Sequence, residues 1–297
     1  MLWCGTSRLL AEHGVSASLT VWAGYALTVF RYGWLGVPLF FVLSGYCIHR
    51  PYARRLAADS TARIDWRSYA CRRLWRIYPV CLGALVLTAA TDSYLHVFAS
   101  SWCSPGDDHS LFSFLCSVLS LQNILAPEFG SNHVFWTLSL ELHFYAVFPL
   151  LLFISRRSPR AALFLALAVS FIYVIVDHLA GINKMFPNCF GHGSPLFLTY
   201  WAVWAVGMYL ADVEAGRDRI PRWAIRLSFP AGILGLIIRS QGITGLDWLC
   251  WGWFFAGLLF TLTRSRFSEC CGGKLSAIAS AVGVFSYSLY ATHACIL

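Results

Sequence analysis

With 58% of its 297 residues apolar, 16% aromatic and a mean hydropathy of +0.62, this chain holds more apolar side chain than one or two water-soluble domains could bury. A net charge of +8 would suggest nucleic acid as a partner for a soluble protein, but the basic residues here lie in short loops between apolar runs, which excludes that class. The expected fold class is an all-α, polytopic transmembrane helix bundle of nine or ten membrane segments, forming a single integral-membrane domain over 1–297 with no separate soluble domain.

The opening stretch, MLWCGTSRLLAEHG, lacks the basic region, apolar core and small-residue cleavage site of a signal peptide, so insertion is expected to fall to the spans themselves. Crossings are predicted at 14–30 and 33–48. The second, GWLGVPLFFVLSGYCI, carries Gly33, Gly36, Gly45 and Ser44; small residues let helices approach closely, and on spacing alone Ser44 is a packing residue.

Eight arginines follow within 50–76, in a chain with only 12% charged residues. A loop so dense in arginine stays on the cytoplasmic side. At its end Arg72, Arg73 and Arg76 precede Ile77, Tyr78 and Pro79, and helical spacing sets Arg72 or Arg73 beside Arg76 at the bilayer surface. Guanidinium forks there could hold the phosphates of a coenzyme or nucleotide, or anionic lipid headgroups; spacing alone favours the membrane lipids.

A third crossing is expected at 77–98, and then an apolar run at 111–125 whose treatment decides the topology. If it crosses, Arg156, Arg157, Arg160, Arg217, Arg219 and Arg222 all lie outside, against the positive-inside tendency. If it re-enters or lies at the interface, every later basic loop becomes cytoplasmic, and that arrangement is preferred. Cys103 and Cys189 then fall outside, where an oxidising compartment could join them. Most of the eleven cysteines are expected to be small apolar packing residues.

The crossing at 134–154 contains Glu141, an ionisable group placed where such groups are costly and face a cavity or a partner. Further crossings are expected at 161–180, 196–212, 223–239, 247–263 and 279–297. His13 near the start and His293 in the last run are candidate general bases, each weighed against a hydrogen-bonded structural histidine. No His or Cys spacing suited to a metal occurs, and none is expected.

Five segments in order, GVPLFFVLSGYCI, RRLWRIYP, LQN at 121–123, FWTLSLELHFYAVFPLL and FSYSLYATH, resemble the acyltransferase 3 family of membrane O-acyltransferases across almost the whole chain. The resemblance implies transfer of an acyl group, acetyl above all, from acyl-CoA (acetyl-CoA) on the cytoplasmic side to a hydroxyl of a saccharide or other small acceptor. It implies a bacterial inner membrane, and no nucleic acid or metal. It makes Arg72, Arg73 and Arg76 ligands of the coenzyme, Glu141 a functional carboxylate with His13 or His293 as catalytic histidine, and Trp136, Ser139, Tyr145 and Ser44 motif residues. Pro38 departs from the family's usual aspartate, and Arg8 stands only five residues before His13, where the family places its arginine and histidine about eleven apart. A Glu/His proton relay in a transporter and an inactive fragment of the family are the alternative expectations.

Overall fold

The computed structural model describes residues 33–98, 107–181, 196–242 and 245–264. The crossings expected at 14–30 and 279–297, together with His13, His293, Cys103 and Cys189, lie outside the described residues. A short 3-10 turn, Gly33–Leu35, leads into α1, Gly36–Ala58. After it come α2 Trp66–Phe98, α3 Leu111–Val118, α4 Phe135–Arg157 and α5 Pro159–Ala180. The series closes with α6 Leu198–Glu214, α7 Arg222–Ser240 and α8 Leu246–Arg264. Among the described residues there is no strand, and the chain is an all-α membrane bundle.

Helix boundaries follow from local chemistry. Ser158 ends α4 and caps α5, its hydroxyl accepting the Ala161 amide at 3.2 Å, with Pro159 at the first helical position where no amide is needed. At its other end α5 stops on Gly181 at φ 64°, a left-handed residue that glycine takes without strain. Two helices run beyond the expected crossings. The first, α1, continues through Pro51 to carry Arg50, Arg54 and Arg55, and α2 begins at Trp66, so Arg72, Arg73 and Arg76 are helical.

Segment 111–125 does not cross as a helix. Only eight residues of it are helical, about 12 Å of rise, against roughly 30 Å of hydrocarbon. Ser110 caps this helix, Ser113 and Ser117 are buried, and Phe112, Leu115 and Leu119 are exposed, the reverse of a water-facing helix. Irregular backbone then returns to the start of α4. It is fastened to α2 by Asp92, which accepts from the Ser131 amide at 2.9 Å and the Ser131 hydroxyl at 2.6 Å and pairs with His109 at 3.1 Å.

Five helices, α2, α4, α5, α7 and α8, are long and apolar enough to cross a membrane. The other two long ones, α1 and α6, form the inner pair. Nearly all of α6 from Thr199 to Val213 is buried. The pair meets through glycines: a Cβ on Gly45 would lie 2.0 Å from the Trp204 carbonyl oxygen, and one on Gly207 would lie 1.9 Å from that of Val42. Large residues cannot occupy either position, and the two backbones pack directly on each other.

Aromatic rings fill the space between this pair and α4. Phe144 stacks on Trp204 at 5.8 Å and meets Phe41 edge-on at 5.2 Å, while Phe148 packs against Trp204 and Tyr69. Outward-facing helices show the opposite composition to a soluble protein, with Val86, Phe153, Phe164, Leu179 and Ile233 all exposed. Such contiguous apolar surface is what a bilayer covers.

Candidate functional site

Glu141 sits in the second turn of α4, 4% exposed, where α4 faces the inner pair. Its Oε1 accepts from the Ser44 hydroxyl at 2.6 Å and from the Tyr145 hydroxyl at 2.5 Å. Tyr145 is one helical turn further along α4, so helix geometry alone brings its ring alongside. Ser44 in turn accepts from the indole nitrogen of Trp204 at 3.2 Å, giving a relay from Trp204 through Ser44 to the carboxylate. The other carboxylate oxygen, Oε2, is buried without a hydrogen-bond partner.

That asymmetry matters chemically. An isolated carboxylate in a low-dielectric interior is costly, and two donors on one oxygen offset much of the cost. The second oxygen is left free to accept or hand over a proton.

Arg73 connects this carboxylate to the arginine-bearing end of the bundle. Its guanidinium lies over the rings of Tyr69 and Tyr145, 5.8 and 5.6 Å from their centroids, and its Nε is buried without a partner. Arg73 and Arg76 are both near enough to act electrostatically on Glu141, and with Arg50 also on Cys47. Arg72 points elsewhere, donating to Ser68 on its own helix. Of the two arginines that helical spacing could set with Arg76, Arg73 is the one that, like Arg76, acts electrostatically on Glu141.

Tyr69 has a second role that only the fold reveals. Pro149 has no amide to offer the carbonyl four residues before it, which belongs to Tyr145. The Tyr69 hydroxyl fills that gap, donating to the Tyr145 carbonyl at 3.1 Å. One bond therefore ties the arginine face of α2 to the residue that orients Glu141.

The LQN segment is bonded to the first turns of α4, the helix that carries Glu141. Asn123, fully buried and at φ 70°, donates from Nδ2 to the Trp136 carbonyl and to the Ser139 hydroxyl, both at 3.0 Å. Asparagine tolerates the left-handed region better than most residues, which suits it to this turn. Ser139 itself is buried and donates back to the Trp136 carbonyl. The Trp136 ring packs on Tyr200 at 5.5 Å and on Trp248 at 6.2 Å. Ser44, Glu141 and Tyr145 thus form one hydrogen-bonded group with Arg73 and Arg76 at its edge, while Trp136 and Ser139 sit on the first turns of the same helix, held by Asn123.

Sequence inspection missed a buried ionic cluster at the arginine-bearing end. His49, fully buried, meets Asp212 at 2.8 Å; Asp212 also accepts from Ser155 at 2.8 Å and pairs with Arg217. The cluster clamps α1, α4 and α6 together, and its members are individually visible as ionisable residues beside apolar runs. Nearby, Glu214 pairs with Arg50 at 2.9 Å and Arg54 at 3.0 Å. Two of the eight arginines therefore share one carboxylate within the protein, which offsets one of their two charges. Among the described residues no group of three His, Cys, Asp or Glu side chains is placed to hold a metal.

Comparison with known proteins gives the site its context. A family described as an acyltransferase domain matches residues 12–297. A protein of Acidianus two-tailed virus named as an acetyltransferase is 34% identical over 151 residues, half of this chain and 39% of its own length. Nodulation protein 10 of Rhizobium leguminosarum bv. viciae is 29% identical over 177 residues, 54% of this chain and 45% of its own. BcsY of Komagataeibacter xylinus, named as a membrane-bound transacylase, is 24% identical over 295 residues, covering 90% of this chain and 68% of that protein. The chain spans less than half the length of the first two of these relatives. No solved structure matches it.

Proposed function

This chain belongs to the acyltransferase family that matches it over residues 12–297, and on that premise we propose that it transfers an acyl group from acyl-CoA to a hydroxyl of a saccharide or other small acceptor. Acetyl is the group proposed, after the acetyltransferase name of the viral relative. The observation that carries the proposal is the unbroken contact path from Arg73 through Tyr145 to Glu141. A basic surface that suits phosphate leads directly to a buried carboxylate with one free oxygen.

In this proposal the arginine-bearing end is cytoplasmic and the membrane is the bacterial inner membrane. Arg73 and Arg76 take the phosphates of the coenzyme by forked, charge-assisted hydrogen bonds, with Arg72 at the flank. The pantetheine arm runs inward past Tyr145, and the acceptor enters from the opposite end. The acceptor oxygen attacks the thioester carbonyl; a C–O bond forms, the C–S bond breaks, the hydroxyl proton passes to the base and the thiolate leaves to be protonated as coenzyme A. His13 is the proposed base, with His293 the second candidate. Glu141, steadied at Oε1 by Ser44 and Tyr145, uses Oε2 to orient the base or the acceptor hydroxyl.

The test is transfer of label from radiolabelled acetyl-CoA to a panel of sugars, in membranes carrying wild type, Arg73→Ala or Glu141→Gln. Glu141→Gln is expected to lower turnover by about 10²-fold or more, and Arg73→Ala to raise the KM for the donor. Transfer unaffected by both substitutions would overturn the assigned roles. Donor binding with no transfer to any acceptor would replace the enzyme by an inactive member of the family.

A further inference from the structure

On the side of α6 away from α1, the helices α5, α7 and α8 enclose with it a groove of about 1000 Å³. That is at the upper end of ordinary small-molecule sites, which run to roughly 1,000 Å³. Its wall is apolar, formed by side chains such as Leu163, Leu167, Val206, Trp253 and Ala256. At one end only, the lining turns basic, with Arg160, Arg219 and Arg222. Arg160 is already neutralised by Asp218 at 2.6 Å. Arg219 and Arg222 are exposed and have no salt-bridge partner among the described residues.

We propose that this groove binds an anionic phospholipid, with an acyl chain along the α5–α8 wall and the phosphate between Arg219 and Arg222. An acyl chain gains little by leaving other lipid tails for an equally apolar protein wall, so the wall alone would select no particular lipid. Charge at the rim makes the selection, since basic residues at the bilayer surface favour anionic headgroups. Two further features favour phosphate at that end. The helix α7 starts at Arg222, with Pro221 before it and no side chain capping its first amides, and helix starts favour anions. Trp223, 61% exposed, sits next to Arg222 with the amphipathic ring suited to headgroup level. The site shares no residue with the Glu141 neighbourhood and does not depend on the transfer chemistry.

Native mass spectrometry of the purified full chain tests the proposal by comparing retained phosphatidylglycerol with phosphatidylcholine. Wild type is expected to hold phosphatidylglycerol preferentially, and the double variant Arg219→Gln/Arg222→Gln to weaken that binding by about 30-fold. Leu167→Trp fills the groove while leaving every charge in place, and is expected to lose the lipid as well; Ala224→Trp repeats the test from α7. Equal retention of both lipids by wild type would overturn the proposal. So would loss in the arginine variant with full retention in both tryptophan variants, which would reduce the site to headgroup binding at the surface.

Discussion

Tyr145 is the residue where two roles meet. Its hydroxyl holds Glu141 Oε1 while its ring faces the Arg73 guanidinium. Tyr145→Phe removes the first contact and keeps the second. It is therefore expected to lower kcat by about tenfold, the worth of one charge-assisted hydrogen bond, with the donor KM unchanged. Steady-state kinetics with acetyl-CoA as the varied substrate separates the two; an equal rise in KM would mean that the ring, not the hydroxyl, is the contribution. At the rim of the lipid groove, Asp218 behaves as a simpler pair. Partial burial raises its carboxyl pKa, but the bonds from Arg160 and the Arg219 amide outweigh that, and the net shift is downward. A lowered folded-state pKa stabilises above the ordinary carboxylate value of about 3.9 and loses that contribution as pH falls through the folded value. The melting difference between wild type and Asp218→Asn should thus be present at pH 7 and shrink below about pH 4. A difference constant across that range would mean that Asp218 acts by shape rather than charge.

Between elements, the least forgiving contact is that of α1 with α6. Gly207→Ala places a methyl group 1.9 Å from the Val42 carbonyl oxygen, and backbone cannot swing aside as a side chain can. Overpacking of this kind typically costs ~1–3 kcal/mol, and a thermal melt in detergent should register it. Gly216→Ala would be the wrong comparison, because Gly216 is itself at φ +77°; Gly83→Ala in α2, with open space around it, is expected to be neutral or better. A melt equally lowered by Gly207→Ala and Gly83→Ala would remove the special status of the crossing. The elements were the part of this protein most legible in the sequence. Seven crossings predicted within 33–263 correspond to long helices, and parity of charge correctly kept 111–125 from being one. Helix ends were less legible: α1 and α2 continue past their apolar runs because arginine-rich stretches are good helix formers even where they cannot enter hydrocarbon.

For the molecule as a whole, the proposed orientation makes a direct prediction. Cys71 is a free, exposed thiol on the arginine-bearing end of α2. A membrane-impermeant maleimide should label it only after cells are opened, the signal at this position being identified as the part that Cys71→Ser removes, since Cys47 is also free and exposed; labelling of intact cells at this position would reverse the topology. The site was only half legible at this scale. Glu141 stands out as a charge in an apolar run, but its partner Ser44 comes from 97 residues before, and Trp204, which donates to Ser44, from α6; no local pattern announces either contact. The His49–Asp212 pair spans 163 residues and was missed for the same reason. Which of three neighbouring arginines turns toward Glu141 depends on where Tyr69 and Tyr145 sit, and that is a property of packing rather than of spacing.

The two glycines of the inner pair have one more consequence. Gly45 follows Ser44 directly, and the carbonyl that Gly45 touches belongs to Trp204, the residue whose indole reaches Ser44. The donor relay to Glu141 is thus referenced to a backbone-on-backbone stop, not to the looser fit of side chains. Sliding either helix by one residue would put a Cβ where none fits, so the register of this relay is set digitally. As the bilayer thickens or thins, the outer helices can tilt to follow it, while the Trp204–Ser44 link keeps the tolerance of two peptide planes in contact.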